Sequence, residues 1–190
     1  MDNLFVIAGL GNPGGKYDNT RHNVGFDAID LLSQKHGIKV SKLKHKALIG
    51  DGTIKNERVL LVKPQTYMNL SGESIRELVE WYKVPMGKLI IVYDDVDLPL
   101  GKVRVRPGGS SGTHNGMRSV IYQLQADDFP RIRIGIDRAP EGWDLADYVL
   151  SRFTPEERKI KDAAVSNAAD AAAAIVSAGV NTAMNLYNGL

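Results

Sequence analysis

The sequence contains no cysteine and no long apolar run, and both absences narrow its function. Without cysteine, the 190-residue chain has no disulfide, no thiolate nucleophile and no cysteine-ligated zinc. No apolar run approaches the roughly 18 residues that a membrane-spanning helix needs, so none is expected. The start, MDNLFVIAGLG, is acidic and continues into a strand, which argues against a signal peptide. Together these absences favour a cytoplasmic location.

The composition is that of one globular domain. With 43% hydrophobic and 24% charged residues, the chain can bury a sizeable core, and its length fits a single domain over residues 1–190. The formal net charge is only +2, so the protein is not a generic nucleic-acid binder. The positions of the charges therefore matter more than their sum.

Short apolar runs alternate with segments of helical periodicity, which predicts an α/β fold with a mixed sheet covered on both faces. Strands are predicted at 4–8, 46–54, 58–64, 89–93, 102–106 and 131–137, the second and third forming a hairpin. Helices are predicted at 22–37, about 71–82, 117–124 and over 155–190 with a break near Gly179. Asn69 and Ser71 are candidate caps of the second helix. The alanine tract 171–174 is interpreted as close helix packing rather than disorder.

The six residues GLGNPG, 9–14, satisfy the dinucleotide fingerprint G-x-G-x-x-G directly after the first strand. That site also requires a helix that begins at the glycines and an acidic residue that ends the second strand. Here Pro13 interrupts the loop, the helix begins near His22, and Asp30 falls within that helix. A P-loop motif is absent as well. We therefore interpret Gly9, Gly11 and Gly14 as a tight turn that points Asn12 into a cleft.

Several loops carry polar residues that core packing does not require. His22 opens a helix beside the first strand's carboxyl end, the position where open α/β sheets bind ligands, which suggests acid–base chemistry. A buried histidine with satisfied hydrogen bonds is the simpler alternative for His22 on local grounds. The segments concerned are GNPG with Asn12, TRHNVG with His22 and Asn23, TYMNLSG with Asn69, THNG with His114 and Asn115, and YDDVDLP at a strand end.

These motifs together closely resemble the bacterial peptidyl-tRNA hydrolase family over essentially the full length. GLGNPG-x-x-Y-x-x-TRHN-x-G, K-P-x-T-Y-M-N-x-S-G, D-D-x-D-L-P-x-G and G-T-H-N-G occur in the family's order and spacing. The resemblance implies a single α/β domain with a twisted mixed, mostly parallel sheet. It also implies cleavage of the ester between a peptide and the 3′-terminal ribose of tRNA, which frees the tRNA for translation.

The resemblance assigns the catalytic histidine to His22 and its supporting carboxylate to Asp94. A neutral imidazole can take a proton from water near pH 7, and a carboxylate on the other ring nitrogen fixes its tautomer. Strand alternation puts Asp94 and Asp95 on opposite faces, so only one should reach His22. The resemblance selects Asp94, whereas alternation alone does not separate the two.

The resemblance also makes Asn12, Asn69 and Asn115 active-site asparagines. Asn12 is expected near the attacking water and the ribose, with Asn69 and Asn115 on the peptide and the ester carbonyl. An amide both donates and accepts hydrogen bonds, so it can bind a peptide backbone of any sequence. For Asn69, helix capping remains an alternative or an additional role. The remaining expected substrate-binding residues are Tyr17, Tyr67, Met68 and His114.

Two strands carry alternating arginines. In KVRVR, Lys102, Arg104 and Arg106 share one face, and RIRIG repeats the pattern with Arg131 and Arg133. An ordinary solvated face is the simpler interpretation, and a phosphate clamp on tRNA is the functional one. By resemblance, Arg106 and Arg133 hold the tRNA 5′-phosphate.

The chain departs from many family members at one loop. GGSSGTHNG has Ser110 and Ser111 where those members have a second histidine and more glycine, which predicts a less mobile loop. Residues 139–153 occupy the place of the family's mobile lid, and a packed surface helix is the alternative there.

Three functions from different classes remain. The first is an ester hydrolase, with peptidyl-tRNA bound by its acceptor-stem end and its peptide, needing no cofactor or metal and acting as a monomer. The second is a non-catalytic RNA-binding homologue of the splicing-factor type, which would not need His22, Asp94 and three asparagines together. The third is a nucleoside- or nucleotide-processing enzyme, which lacks a phosphate loop here.

Overall fold

The computed structural model describes residues 3–190, in which strands and helices alternate as the sequence predicts. The strands are β1 Phe5–Gly9, β2 Lys42–Lys44, β3 Ala47–Ile54, β4 Glu57–Pro64, β5 Leu89–Asp95, β6 Val103–Arg106 and β7 Arg131–Gly135. The α-helices are α1 Val24–His36, α2 Ser71–Tyr82, α3 Asn115–Leu124, α4 Leu145–Val149, α5 Pro155–Ala178 and α6 Val180–Tyr187. None of the helices in this part of the chain combines the length and apolarity needed to cross a membrane.

All seven strands form one open sheet in the order β2-β3-β4-β1-β5-β7-β6. The four central strands β4, β1, β5 and β7 run parallel, while β3 and β6 run antiparallel to their neighbours. The β3–β4 hairpin turns at Lys55 and Asn56, whose φ angles of 52° and 67° are typical of a tight hairpin loop. The predicted mixed, mostly parallel sheet with a hairpin at one edge is confirmed.

Helices cover both faces of this sheet, as predicted. One core cluster joins α1, α5 and α6 to one face, and a second joins α2 and α3 to the other. Gly9 lets α1 approach β1 closely, because a Cβ atom there would lie 2.1 Å from the carbonyl oxygen of Gly25. Gly11 similarly lies against the ring of Phe26, and of the three loop glycines only Gly14 has a positive φ. The expectation that all three serve a tight turn is therefore wrong.

The N-terminus of the long helix α5 is capped by two side chains. Thr154 accepts from the backbone N–H of Glu157, and Glu157 accepts from the backbone N–H of Thr154, which forms a capping box ahead of Pro155. The alanines at 171–173 are buried, so the predicted close packing of the tract is confirmed.

On the outer edge of β6, the backbone of Val105 is paired with one side chain. The amide of Asn188 accepts from the backbone N–H of Val105 at 2.7 Å and donates to the carbonyl of Val105 at 3.1 Å. These two bonds replace the backbone pairing that a neighbouring strand would supply.

Three local features differ from the sequence prediction. The residue before α2 is Leu70, and no side chain caps that helix, so the predicted caps Asn69 and Ser71 are wrong. The hydroxyl of Ser71 donates instead to the carbonyl of Met68 at 2.7 Å. Strand β2 was not predicted, because it is too short to show a period, and within 139–153, where a packed surface helix was the alternative to a lid, the helix α4 spans only Leu145–Val149.

Candidate active site

A cleft of about 620 Å³ opens at the carboxyl ends of β1, β4 and β5. This is the edge at which open α/β sheets bind ligands. Of the eleven candidate site residues, Arg106 alone does not line the cleft. The ten that do are Asn12, Tyr17, His22, Tyr67, Met68, Asn69, Asp94, His114, Asn115 and Arg133.

His22 and Asp94 meet at the floor of the cleft. His22 lies in a single 3₁₀ turn, Arg21–Asn23, just before α1, and Asp94 lies near the end of β5. The Nδ1 atom of His22 is 2.7 Å from Oδ2 of Asp94. Nε2 is therefore the ring nitrogen left for the cleft, and with Nδ1 protonated it carries the lone pair.

The carboxylate of Asp94 is only 2% exposed, yet it remains charged. Burial alone raises the pKa of Asp94, but His22 and His114 together hold that pKa well below its ordinary value. The neighbouring Asp95 does not reach His22. Its carboxylate accepts from the backbone N–H of Asp97 and lies 3.8 Å from Arg133.

His114 is the second histidine on the same carboxylate. Its Nε2 lies 2.8 Å from Oδ1 of Asp94, and its Nδ1 accepts from the backbone N–H of Met117 as the cap of α3. Because Nδ1 is an acceptor, the neutral ring carries its proton on Nε2 and donates it to Asp94. The sequence predicted His114 in substrate binding, whereas its bonds go to the carboxylate and to α3.

His22, Asp94 and His114 are also spaced closely enough to hold a metal ion, with their donor atoms within 4.8 Å of one another. A metal on Nε2 of His114 would require that nitrogen to lose its proton. Nδ1 of the same ring would then have to stop accepting from Met117 or leave the ring anionic. The hydrogen bonds of this cluster therefore suit proton sharing rather than metal ligation.

Asn12 is held on both sides. Its backbone N–H donates to Oδ1 of Asn23 at 2.8 Å, and its carbonyl accepts from Nδ2 of Asn23 at 3.0 Å. The side-chain oxygen of Asn12 accepts from the backbone N–H of Met68 at 2.8 Å. The amide NH₂ of Asn12 is therefore the group that remains available to a ligand.

The other asparagines stand at the rim. Asn69 lies in the 3₁₀ turn Met68–Leu70, and Asn115 is the first residue of α3, and both are exposed. Met68 is buried between them and packs against the start of α3, since a Cβ atom on Gly116 would lie 2.5 Å from its sulfur. The rings of Tyr17 and Tyr67, 6.2 Å apart, form the adjoining wall.

The arginines do not all face solvent. Arg133 lines the cleft, while the guanidinium of Arg106 is bonded to the carbonyl of Val105. Arg131 is fully buried and donates to the carbonyls of Ser110 and Asp127, so it anchors the loop before α3. The solvated-face interpretation is therefore wrong for Arg131.

Two further parts of the site were not named as site residues, although the resemblance put the segment 139–153 at the cleft as a lid. Leu145, Ala146 and Val149 of α4 line the cleft with the following Leu150, and these four are called the α4 wall below. Arg21, next to His22, is buried and bonded to the segment after α4. Neither feature has a spacing in the sequence that marks it, because both depend on contacts more than 120 residues apart.

The fold and the cleft define an α/β protein whose site pairs a histidine with a buried carboxylate, an arrangement suited to hydrolases that activate water. The chain belongs to the peptidyl-tRNA hydrolase family, whose model it matches over residues 6–190. It is 55% identical over 186 residues to the peptidyl-tRNA hydrolase of Alkaliphilus oremlandii, with 98% of this chain and all of that protein covered.

A second relative and a solved structure support the same family membership. The peptidyl-tRNA hydrolase of Caldanaerobacter subterraneus is also 55% identical, over 98% of this chain and 100% of that protein. The crystal structure of peptidyl-tRNA hydrolase from Acinetobacter baumannii is 34% identical at a TM-score of 0.92 and covers 99% of this chain and 96% of that chain. Arabidopsis thaliana 5′-methylthioadenosine nucleosidase, 12% identical at a TM-score of 0.54 over 93% of this chain and 96% of its own, shares the fold alone.

Proposed function

We propose that this protein hydrolyses the ester between the peptide and the 3′-terminal ribose of peptidyl-tRNA, with His22 as the general base. The observation that carries this role is the 2.7 Å contact between Nδ1 of His22 and Asp94. That contact fixes the tautomer in which Nε2 accepts a proton from water in the cleft. Asp94 then stabilises the imidazolium that forms.

The asparagines supply the neutral hydrogen-bonding groups. The free NH₂ of Asn12 donates to the attacking water or to the terminal ribose. Asn69 and Asn115, at the rim, bind the peptide and polarise the ester carbonyl. Amides recognise backbone groups without reading side chains, which suits an enzyme whose peptide substrates differ in sequence. Tyr17, Tyr67 and Met68 enclose this side of the cleft.

Arg133 and Arg106 hold the 5′-phosphate at the acceptor-stem end of the tRNA. Support comes from the position of Arg133 on the cleft and of Arg106 on the neighbouring strand β6. Contacts to phosphate position the substrate without reading its bases. The small net charge is compatible with this role because a local pair of cations suffices.

The segment 139–153 is proposed to act partly as a lid. The later part of this segment is fixed to the residue after β7 by the hydroxyl of Tyr148, which donates to the carbonyl of Ile136 at 2.6 Å. Its earlier part, with the exposed Trp143, is the portion that would cover bound substrate as a lid. We infer that the protein acts as a monomer in the cytoplasm, which light scattering and cell fractionation test.

Release of an N-acetylated amino acid from its tRNA by purified protein is the direct test. His22→Ala should lower kcat by about 10²–10⁴-fold, the usual contribution of a positioned general base. His36→Ala, at the far end of α1, is the matched control and should retain the wild-type rate. Turnover by His22→Ala at the wild-type rate would remove His22 from this role.

The same assay separates the RNA-binding alternative. A wild-type protein that binds the tRNA but releases no amino acid over hours would favour the non-catalytic homologue. The complete His22–Asp94 pair at the cleft speaks against that outcome, since binding alone does not need a polarised imidazole.

A further inference from the structure

Arg21, the residue before His22, is a buried cation with every side-chain nitrogen bonded. Nη1 and Nη2 donate to the two carboxylate oxygens of Glu157, each at 3.0 Å, and Nε donates to the hydroxyl of Ser151 at 2.9 Å. Nη2 also donates to the carbonyl of Arg152. Such a bidentate pair fixes the plane of the guanidinium as well as its position.

The faces of this guanidinium are packed between two rings. Its carbon lies 4.5 Å from the ring centroid of Tyr148 and 4.8 Å from that of Phe153. In addition, the backbone N–H of Arg21 donates to the carbonyl of Ser151 at 2.9 Å. Arg21 is therefore attached to the segment 148–153 through both its main chain and its side chain.

Two of the partners of Arg21 lie on helices, and one of these helices, α4, lines the cleft. Tyr148 lies on α4, on the side away from the α4 wall, and Glu157 lies in the first turn of α5. Oε1 of Glu157, which accepts from Nη2 of Arg21, also accepts from the backbone N–H of Thr154 in the capping box. Arg21 thus joins the start of α5 to the inner side of α4.

The other neighbour of His22 is anchored in a different direction. Asn23 is paired with the backbone of Asn12 by two hydrogen bonds, which ties it to the loop after β1. His22 is the middle residue of this three-residue turn, so its main chain is held between the Asn12 loop and the segment 148–157.

We propose that Arg21 is a positioning residue that fixes the imidazole of His22 relative to Asp94 and to the α4 wall. This inference rests on the proposed function, because it concerns the base of that reaction. Arg21 touches neither substrate nor the reacting atoms. It acts by setting the distance between the base and the apolar wall that lines the cleft.

Arg21→Lys tests this role because it keeps the positive charge and removes the planar guanidinium with its several N–H donors. A lysine ammonium cannot bind both oxygens of Glu157 and Ser151 in one plane, nor stack as a guanidinium does. We expect kcat to fall about tenfold with a smaller change in KM, since the base is misplaced while the binding residues remain. Arg76→Lys, in the exposed pair of Arg76 with Glu80 on α2, is the matched control and should leave both constants unchanged.

A second measurement does not need catalysis. The titration midpoint of His22, followed by NMR of the labelled imidazole, should move to lower pH by roughly 0.5 in Arg21→Lys, because a looser contact with Asp94 gives less support to the imidazolium. Asp94 and His114 are the titratable groups that face this ring. The midpoint in Arg76→Lys should stay at the wild-type value.

Glu157→Gln decides the case in which Arg21→Lys does not fold. It removes the countercharge of Arg21 and keeps an oxygen for the capping box, and it should lower both the His22 midpoint and kcat in the same direction. A folded Arg21→Lys or Glu157→Gln with a wild-type midpoint and wild-type kcat would overturn the positioning role. A wild type that turns over nothing, with its midpoint still dependent on Arg21, would instead contradict the proposed function alone.

Discussion

His22 and His114 approach one carboxylate from two sides, with ring centroids 5.1 Å apart and ring planes at 55°. Each ring donates one N–H to a different oxygen of Asp94. His114 cannot exchange roles with His22, because its other nitrogen is occupied by the backbone of α3. The two histidines are thus unequal: His114 holds the carboxylate, and His22 keeps a free lone pair.

Asp94→Asn keeps the shape of the Asp94 side chain and should therefore prevent His22 from acting as the base. An amide offers one oxygen and one NH₂, so it cannot accept from both rings, and a ring that faces the NH₂ must move its proton to the other nitrogen. We expect kcat to fall about 10²–10⁴-fold, measured on N-acetylated aminoacyl-tRNA. Asp51→Asn, in an exposed pair with Arg58, is the control and should be active. Wild-type kcat in Asp94→Asn would contradict the assignment.

The pH dependence of kcat/KM follows from the same contact. Burial lowers the pKa of His22, but the charge and hydrogen bond of Asp94 together raise that pKa above the ordinary 6.5. The base works only when neutral, so the rate should rise with pH through a midpoint above 6.5. Asp94→Asn should move that midpoint to lower pH. A wild-type midpoint well below 6.5 would mean that another group limits the acid side.

Two substitutions of Asn12 distinguish the hydrogen bond that its side-chain oxygen accepts from Met68 from the role of its free NH₂ in the reaction. Asn12→Asp keeps an oxygen for the backbone N–H of Met68 but loses the free NH₂, so kcat should fall at least about tenfold. Asn12→Ala also leaves that buried N–H unpaired, which should cost about 1–3 kcal/mol in the free energy of unfolding. Kinetics and urea titration measure both. A wild-type kcat in Asn12→Asp would remove the NH₂ from the reaction, and wild-type stability in Asn12→Ala would show that the bond to Met68 contributes nothing to folding.

Substitution of the arginines should affect binding more than chemistry. Arg133→Ala and Arg106→Ala are both expected to raise KM more than they lower kcat, because a phosphate contact stabilises ground state and transition state alike. The effect should be larger for Arg133, which lines the cleft. Each should reduce the slope of log affinity against log salt by about 0.7–0.9. A loss confined to kcat would remove the residue from phosphate binding.

The sheet could be predicted because its strands are either continuously apolar or bounded by turn residues. The β3–β4 hairpin is an example, since its turn at Lys55 and Asn56 separates two long β-rich runs. Asn69 shows the limit of the same reasoning: its position before a helix predicts a cap, but an intervening 3₁₀ turn makes Leu70 the residue at the boundary.

The residues of the site were harder to predict from local sequence patterns than the sheet. Alternation correctly puts Asp94 and Asp95 on opposite faces of β5, yet only the family resemblance selects Asp94. Alternation also placed Arg131 with the other arginines, and it could not show that the loop at Ser110 and the residues near Asp127 cover its side chain. Burial of a polar residue depends on contacts outside its own strand, and the alternation within the strand does not show them.

Asn188 pairs with Val105 across 83 residues of sequence. During synthesis, the backbone of Val105 on the outer edge of β6 consequently lacks this partner until both α5 and α6 have left the ribosome. In that interval the nascent chain carries an open strand with apolar residues on one face, a surface on which chains aggregate. Chaperone dependence of folding should therefore concentrate in the interval before the C-terminal helices emerge.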